Sequence, residues 1–377
     1  MHKIKIGLVG SGFAASLHME AYKMVYGVEP VICALASTSE KAKDFADKYG
    51  IQTVYTSLDE MLQKEKLDVV DICTPPSAHA AHIEKVMMNG CHVICEKPLS
   101  GWFGDHNEPN MLEYVEKQLE ELERVIRTSG KKFFYAENFV YAPAVQKSAE
   151  LIEATGAKVL YMKGEESHSG SHAPHAALWS KNGGGSLIRQ GCHPLSAVIY
   201  LKNKEQKRAG KVTAVVADMG QIVPTLTASE MQNINARPVD VEDMANVILT
   251  FEDGTKAMIT SGDMILGGVR NEVQVYTTSG VYQCRIAPND QMQVYHIDDS
   301  QLDDVYFTEK VETKKGWQSI FLDEDIARGY VGELRDFLLC SCGEKEEPES
   351  GFELAKETTR IIYGAYKSAR EERKVKM

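Results

Sequence analysis

Residues 6–15 read IGLVGSGFAA and carry the spacing G-x-G-x-x-A at Gly10, Gly12 and Ala15. The motif follows an apolar run at residues 4–9 and precedes a stretch with helical spacing, so it occupies a strand-to-helix turn. Such a turn needs glycine where the chain bends tightly and where the backbone approaches a ligand. It needs a small residue where the helix packs against the strand.

The free N–H groups at the start of the helix favour a negatively charged ligand there. The motif therefore predicts a dinucleotide site in which Gly10, Gly12, Phe13 and Ala14 surround the pyrophosphate. A glycine-rich turn without a ligand is the alternative, because this motif alone is weak. Its place on the first predicted strand, ahead of a βαβ pattern, favours the dinucleotide site.

The first 130 residues alternate short apolar runs with helical periodicity, which is typical of βαβ units on a parallel sheet. We predict strands at 4–9, 30–36, 69–73, 92–95 and 132–136, and helices at 15–26, 40–49, 58–63, 79–89 and 111–126. In the second half we predict strands at 159–163, 212–219, 245–251, 257–261, 273–277 and 281–285, followed by helices at 330–340 and 352–371. Hairpin-like turns between several of these strands indicate antiparallel pairing.

The predicted fold class is α/β. A Rossmann domain with a doubly wound parallel sheet is expected over residues 1–136. An α+β domain with a large, mostly antiparallel open sheet, for substrate binding and oligomerisation, is expected over residues 137–377. We expect the last helix to pack back on the first domain. A length of 377 residues agrees with two domains.

Composition excludes several classes of protein. With 43% hydrophobic and 25% charged residues, the chain has no apolar run near the roughly 20 residues that span a bilayer. A net charge of −12 without a basic stripe argues against nucleic-acid binding. The N-terminus shows no secretory signal and the eight cysteines have no disulfide-like spacing, so we expect a cytoplasmic protein with reduced thiols.

The end of the second predicted strand bears on the choice of cofactor. Enzymes that use NAD often carry an acid there for the ribose hydroxyls, but residues 36–39 are Ala-Ser-Thr-Ser, with Ser37 in the expected contact position. Lys41 or Lys43 could approach the 2′-phosphate of NADP, or they are surface lysines of the next helix. We favour NAD and leave NADP open.

Two further motifs follow consecutive predicted strands. Residues 73–79 read CTPPSAH and residues 95–98 read CEKP, both at the carboxyl edge where open α/β sheets bind ligands. Together with the glycine motif, they resemble the glucose-fructose oxidoreductase and inositol dehydrogenase (Gfo/Idh/MocA) superfamily. The resemblance continues through the glycine run 183–187 and His193-Pro194 to the tail at 365–370, so it covers nearly the whole chain.

The resemblance implies hydride transfer between nicotinamide and a secondary alcohol, with Lys97, before a cis Pro98, as the acid/base. A base must take the hydroxyl proton as hydride leaves, and a lysine near a positive charge and partly buried can do so at working pH. Glu96 could orient this lysine, whereas a surface pair of Glu96 with Lys97 is the alternative. Cofactor contacts are implied for a set of residues that follow the strands: Thr74, Pro75, His79, Glu96, Lys97 and Asn138. For Asn138, capping a helix over residues 142–154 is the alternative.

The second half departs from the family pattern at one position. The family places an aspartate four residues before the histidine that His193 matches, and this chain has Arg189 there. On a helix Arg189 and His193 would share a face, and Arg189 cannot act as a base. Glu165 or Glu166 could supply a carboxylate instead.

We therefore predict substrate contacts at Glu166, His168, Arg189 and His193, with Tyr141 added from the segment after the last Rossmann strand. His193 would bind the reacting hydroxyl or relay its proton. Three histidines, His168, His172 and His175, lie in a loop rich in Ser, Gly and Pro, so zinc or manganese ligation and plain solvent exposure are both alternatives. We predict no metal.

The resemblance implies a carbohydrate dehydrogenase acting on a sugar, glycoside or cyclitol, with a glucoside oxidised at C3 as the specific hypothesis. One alternative is an NAD-dependent glycoside-cleaving enzyme that oxidises C3 transiently. Another is a non-catalytic sugar-sensing regulator of the same fold. The resemblance also implies a homo-oligomer through the C-terminal sheet.

Overall fold

A computed structural model of the protein describes residues 1–206, 210–287, 292–296, 313–320 and 324–377. The chain divides into two compact units. Unit 1 contains Met1–Trp102, Asn110–Tyr141 and Gly329–Arg360, and unit 2 contains Phe103–Pro109, Ala142–Arg328 and Ile361–Met377.

Unit 1 alternates strands and helices as its sequence pattern predicts. Its elements up to the end of the parallel sheet are β1 Lys3–Val9, α1 Phe13–Tyr22, β2 Glu29–Ala36, α2 Ala42–Tyr49, β3 Val54–Tyr55, α3 Leu58–Lys64, β4 Val69–Ile72, α4 His79–Met88, β5 His92–Glu96, α5 Met111–Ser129, β6 Phe133–Ala136 and the short α6 Asn138–Tyr141. The strand β3 was not predicted, because two residues are too few to show an alternation of apolar and polar side chains.

The six strands of unit 1 are all parallel and follow the order β3-β2-β1-β4-β5-β6. This is the doubly wound Rossmann order, in which the strand sequence reverses direction between β1 and β4. Strands β4, β5 and β6 are buried on both faces, as their near-continuous apolar runs require. The carboxyl ends of β1, β4 and β5 are therefore neighbours at the edge where such sheets bind ligands.

Unit 2 is built on a second sheet. Its elements, together with the closing elements of the chain, are α7 Pro143–Thr155, β7 Val159–Ser167, α8 Trp179–Asn182, α9 Cys192–Gln206, β8 Val212–Gly220, β9 Met244–Phe251, β10 Lys256–Gly262, β11 Arg270–Thr277, β12 Val281–Arg285, β13 Met292–His296, β14 Gly316–Ile320, α10 Glu324–Ala327, α11 Tyr330–Ser341, α12 Phe352–Glu371 and β15 Val375–Lys376. Of these, α11 and residues 352–360 belong to unit 1.

The seven-stranded sheet of unit 2 has the order β12-β11-β7-β10-β9-β8-β15. Its pairs are antiparallel except β7 with β10, which run parallel. The predicted mostly antiparallel sheet is thus confirmed, as is the α/β class. The parallel pair matters for the site, because it brings the residues that follow β7 and β10 to one edge.

A π-helical turn, Leu187–Gly191, leads directly into α9 and was not predicted. Pro194 has no N–H to donate to the carbonyl four residues earlier, which agrees with an irregular turn at this point. Arg189 lies in the π turn and His193 in the α-helix after it, so the regular i, i+4 geometry expected for this pair does not apply. Within the described residues, no helix is both long enough and apolar enough to cross a bilayer.

Candidate functional site

The glycine turn after β1 has the geometry that its motif predicts. Gly10 has φ of +99°, and a Cβ at this position would lie 2.5 Å from the carbonyl oxygen of Cys73, so only glycine fits without strain. Its N–H donates to the carbonyl of Ala36, which joins the ends of β1 and β2. At Gly12, by contrast, a Cβ would have no atom within 4 Å.

The surface beside Gly12 fits the pyrophosphate of NAD. Phe13 is exposed, Ala14 is half-buried, and the first turn of α1 contains no acidic residue that would repel a negative ligand. Ser37 follows β2, and its hydroxyl lies 2.9 Å from the hydroxyl of Ser11 in the glycine turn. The predicted contact residues Gly10, Gly12, Phe13, Ala14 and Ser37 therefore lie together at one strand edge.

The turn after β4 is tied to the turn after β5 by one histidine. His79 is fully buried, with Nδ1 2.8 Å from the carbonyl oxygen of Pro98 and Nε2 2.8 Å from that of Thr74. Burial lowers the pKa of His79. Pro75 is exposed at the start of the turn. His79 thus braces the two strand ends from which Thr74 and Lys97 project.

Lys97 follows β5, two strands from the glycine turn, and is partly exposed. The peptide between Lys97 and Pro98 is cis. The Lys97 backbone N–H donates to Oε2 of the buried Glu96 at 2.9 Å. Glu96 therefore holds the main chain of Lys97 and is directed into the interior.

Behind Glu96 lies a buried polar group that sequence reasoning missed. Asp71 of β4 and His18 of α1 are fully buried and hydrogen-bonded at 2.8 Å. Asp71 breaks an otherwise apolar strand, Val-Val-Asp-Ile, and that break is the signal that could have found it.

The segment after β6 is held within unit 1. Asn138 and Tyr141 are buried in α6. The Tyr141 hydroxyl donates to Asp336 at 2.9 Å and accepts from the backbone N–H of Ser350 at 3.0 Å. Asn138 does not cap the helix over 143–155, because the N-cap residue is Ala142 and Pro143 begins the helix.

In unit 2, parallel pairing places two strand ends side by side. Glu166 and His168 come from the end of β7 and Asp263 follows β10, and all three are buried. The His168 backbone N–H donates to the carbonyl of Gly262 at 3.0 Å. His168 Nδ1 accepts from the Gly170 N–H at 2.9 Å, so Nε2 carries the proton of the neutral ring. Glu165 pairs instead with Arg270 at 3.4 Å.

Arg189 pairs with a carboxylate that was not predicted. Its guanidinium donates to Asp263, which also accepts from the side chain of Gln190. Burial raises the pKa of Asp263, although Arg189 and Gln190 oppose the shift. His168 Nδ1 lies 3.9 Å from the same carboxylate. Arg189 thus has a carboxylate partner, but this partner is Asp263 and neither of the predicted candidates, Glu165 and Glu166.

A cavity of about 290 Å³ in unit 2 opens beside this pair. Its polar lining is Ser171, His172, Arg189, Asn235, Arg237 and Asp263. His172 and His175 are exposed, as the solvent-exposed alternative expects for these two. No group of three possible ligand side chains that includes either histidine lies close together in the part of the chain that is described.

His193 is buried near the start of α9. That helix packs closely on β7, because a Cβ on Gly164 would lie 2.6 Å from Cβ of Pro194. The preceding glycine run wraps around Glu242, which accepts from the N–H groups of Gly185 at 2.8 Å and Leu187 at 2.9 Å. Glu242 was also missed, since it comes from a distant loop.

The fold and the strand-end groups of unit 1 define an NAD-binding oxidoreductase of the Rossmann class. A family model described as "Oxidoreductase family, NAD-binding Rossmann fold" matches residues 4–118, and the model of the GFO/IDH/MocA C-terminal domain matches residues 153–283. Together they take up more than half of the chain. The chain belongs to the GFO/IDH/MocA oxidoreductase family.

Curated relatives include the D-glucoside 3-dehydrogenase of Escherichia coli, 26% identical over 52% of this chain and 54% of that enzyme. The myo-inositol 2-dehydrogenase of Thermotoga maritima is 23% identical over 99% of this chain and 98% of that enzyme. Some of these matches span little more than half the length of the relative, as with the E. coli enzyme.

Among solved structures, GenD2 from gentamicin A biosynthesis in complex with NAD has a TM-score of 0.81 at 23% identity. The likeness covers 100% of this chain and 97% of that chain. A scyllo-inositol dehydrogenase from Lactobacillus casei with bound NAD(H) and scyllo-inositol has a TM-score of 0.73 at 17% identity. These likenesses show a shared fold.

Proposed function

We propose that the protein is an NAD-dependent dehydrogenase that acts on a secondary alcohol of a sugar, glycoside or cyclitol. The observation that carries the proposal is the carboxyl edge of the unit 1 sheet. There, Lys97 follows β5 with its backbone fixed by Glu96, two strands from a glycine turn that leaves room for a dinucleotide pyrophosphate. Unit 1 would bind the cofactor, and unit 2 would supply the substrate contacts.

Bound NAD would supply a hydride acceptor. The chain itself must then remove the hydroxyl proton, and a positioned amine does this when it is in its neutral form. We assign this step to Lys97. Thr74, Pro75, His79 and Asn138 stay predicted cofactor contacts, with His79 acting by bracing the two turns.

The substrate class rests on relatives and on the polar residues of unit 2. Relatives are named for dehydrogenation of glucosides, inositols and apiose. Glu166, His168 and Arg189 come from segments that converge at the β7–β10 edge, with Asp263 as an added carboxylate. Hydroxyl-rich rings suit such a mixture of acceptors and donors.

We further propose oxidation at C3 of a glucoside, in line with the E. coli relative. His193 would bind the reacting hydroxyl or relay its proton, a role that follows from the family resemblance. The substrate role of Tyr141 stays a prediction. Its hydroxyl is hydrogen-bonded to Asp336 and to the backbone N–H of Ser350.

A homo-oligomer through the sheet of unit 2 is part of the proposal. On the outward face of this sheet, Val216 and Ile248 are paired across β8 and β9, and both are exposed. Tyr276 is paired with the exposed Val281 across β11 and β12. Exposed apolar rows on a sheet support a protein contact there.

A cytoplasmic location is also proposed. All eight cysteines lie within described residues, and all eight are free thiols. Free and mostly buried thiols are typical of proteins that work in a reducing compartment.

The test is a panel of sugars, glycosides and cyclitols with NAD or NADP, followed by nicotinamide absorbance, with Lys97→Ala as the matched variant. We expect NAD reduction by wild type with at least one glucoside or cyclitol, and a loss in the variant. Aglycone release without net NAD reduction would instead identify the glycoside-cleaving reaction. Tight NAD and sugar binding without turnover of any panel member would identify a regulator.

A further inference from the structure

The polar group behind Glu96 is a buried cluster of unit 1 in which Asp71, His18 and Tyr22 are hydrogen-bonded. Asp71 lies on the central strand β4 and is fully buried. Its Oδ2 accepts from His18 Nδ1 at 2.8 Å and from the Tyr22 hydroxyl at 2.9 Å. A carboxylate buried this deeply needs a cation or several donors, and His18 is the adjacent group able to carry positive charge.

The other nitrogen of the same ring faces a second carboxylate. His18 Nε2 lies 3.1 Å from Oε1 of Glu96, an ion-pair distance. A neutral imidazole has one N–H and one lone pair, so it would turn a lone pair toward one of these two acids. The approach of Nε2 to Glu96 lacks the direction of a hydrogen bond, but an imidazolium there holds its positive charge close to both carboxylates. The geometry therefore favours the protonated ring.

Glu96 connects this buried cluster to Lys97, the proposed acid/base. Its Oε2 accepts the backbone N–H of Lys97 at 2.9 Å. Asp71, His18, Glu96 and the Lys97 main chain thus form one continuous path from the sheet centre to its carboxyl edge.

We propose that His18 is a positioning residue for Lys97: as an imidazolium shared by Asp71 and Glu96, it keeps Glu96 ionised and aimed at the Lys97 backbone. This proposal rests on the proposed function, in which Lys97 moves the proton. His18 itself need not touch the substrate or the cofactor.

The surrounding groups agree with one positive charge in the ring. Burial alone would lower the pKa of His18, but the hydrogen-bonded Asp71 carboxylate opposes this, and the pKa is raised well above its usual value. From α11, burial raises the pKa of Glu333 well above its usual range, although the charge of His18 opposes the shift, and this favours the neutral acid.

Two other groups near the ring also carry no charge. Burial raises the pKa of the Cys73 thiol, and its Sγ lies 3.5 Å from His18 Nδ1. Burial likewise raises the pKa of Tyr22, and the ring of Tyr330 is 6.4 Å from the imidazole. Among the groups paired with the ring, the charged ones are therefore Asp71, Glu96 and His18 itself, which together carry one net negative charge.

The test compares three variants on the pH profile of kcat/KM, with NAD affinity measured separately. His18→Gln leaves two carboxylates without a cation, which favours the protonated amine of Lys97. We expect kcat to fall about tenfold to a hundredfold and the acid limb of the profile to move roughly one pH unit higher.

Adding Asp71→Asn to His18→Gln returns the cluster to one negative charge, so the acid limb should move back to its wild-type position. Tyr22→Phe is the matched control, because it removes the other donor to Asp71 without changing charge. We expect it to leave the acid limb in place. Equal shifts in His18→Gln and Tyr22→Phe, or a double variant that keeps the shifted limb, would overturn the proposal.

A second measurement needs neither a folded His18 variant nor turnover. In wild type labelled with ¹⁵N-histidine, we expect one of the eleven rings to remain doubly protonated at pH 8. Eleven neutral rings at that pH would overturn the proposal. If this signal is present and no alcohol is oxidised, the proposed function fails while the charged state of His18 stands.

Discussion

The strand ends of unit 1 and those of unit 2 are assembled in different ways. In unit 1, Gly10 and Gly12 share one turn, and Glu96 holds the backbone of the very next residue. In unit 2, Arg189 meets Asp263 from 74 positions away, and Glu242 reaches Gly185 across 57 positions. Adjacent residues give a site that the local backbone can place, whereas distant partners give a site that depends on side-chain pairing.

The largest effect on stability is expected from breaking the distant pair in unit 2. Arg189 and Asp263 have side-chain exposures of 15% and 5%, so removing one leaves the other buried without its counter-charge. Asp263→Asn should reduce the free energy of unfolding by about 3 kcal/mol, and Arg189→Met by a similar amount. Urea denaturation measures both.

The double variant Arg189→Met/Asp263→Asn is the control, and it should recover most of the loss because neither charge remains. Strictly additive losses, or single variants that each cost less than about 0.5 kcal/mol, would show that this pair does not hold the unit 2 edge together.

The contact of Glu242 with the glycine run can be tested through the pH dependence of stability. Burial raises its pKa from the ordinary 4.5 to about 7, although it accepts from the backbone N–H groups of Leu187 and Gly185 and from the Tyr366 hydroxyl. Between these two values the folded state binds the proton and the unfolded state does not. Stability from this group is therefore full below pH 4.5 and lost as pH rises to about 7.

Glu242→Gln cannot titrate and provides the reference. The free energy of unfolding of wild type minus that of the variant should fall by about 2.4 kcal/mol from pH 5 to pH 7.5. Parallel stability curves over this range would contradict the buried position of Glu242.

In unit 1, alanine substitutions at the two glycines of the turn after β1 test whether the local backbone alone determines the site. Gly10→Ala must accommodate positive φ and a Cβ pressed on the Cys73 carbonyl, so a loss of about 2 kcal/mol is expected. Gly12→Ala has negative φ and open space, so its stability should be unchanged or slightly higher, while its NAD affinity falls. Thermal unfolding and NAD titration separate the two, and equal stability losses would be inconsistent with the turn.

The smallest effect is expected at Tyr141. Tyr141→Phe removes one hydrogen bond to Asp336 and one from Ser350, which should cost about 1 to 2 kcal/mol of stability, and the substrate KM of this variant tests the substrate role predicted for Tyr141. A raised KM at unchanged stability would place the hydroxyl at the substrate instead.

The difference between neighbouring and distant contacts also explains which features of the molecule could be predicted from the sequence. The Rossmann strands, the glycine turn and the E-K-P turn were predicted because period and local motif determine backbone conformation. The pairing of Arg189 with Asp263, the wrapping of the glycine run around Glu242, and the contact of His18 with Asp71 were not predicted. Each depends on register and on crossovers that bring distant segments together. A local pattern can mark one partner, as Asp71 does in an apolar strand, but it does not identify the other. The π turn before His193 was also missed, because one proline in an otherwise helical run does not predict a π turn.

The central claim is that the amine of Lys97 takes the hydroxyl proton during hydride transfer. Single-turnover stopped flow at saturating NAD, with wild type and Lys97→Ala and with substrate deuterated at the reacting carbon, measures this step directly. The account predicts that the variant binds NAD normally, and that its hydride-transfer rate is lower by roughly 10²- to 10⁴-fold. Equal hydride-transfer rates in the two proteins would contradict it.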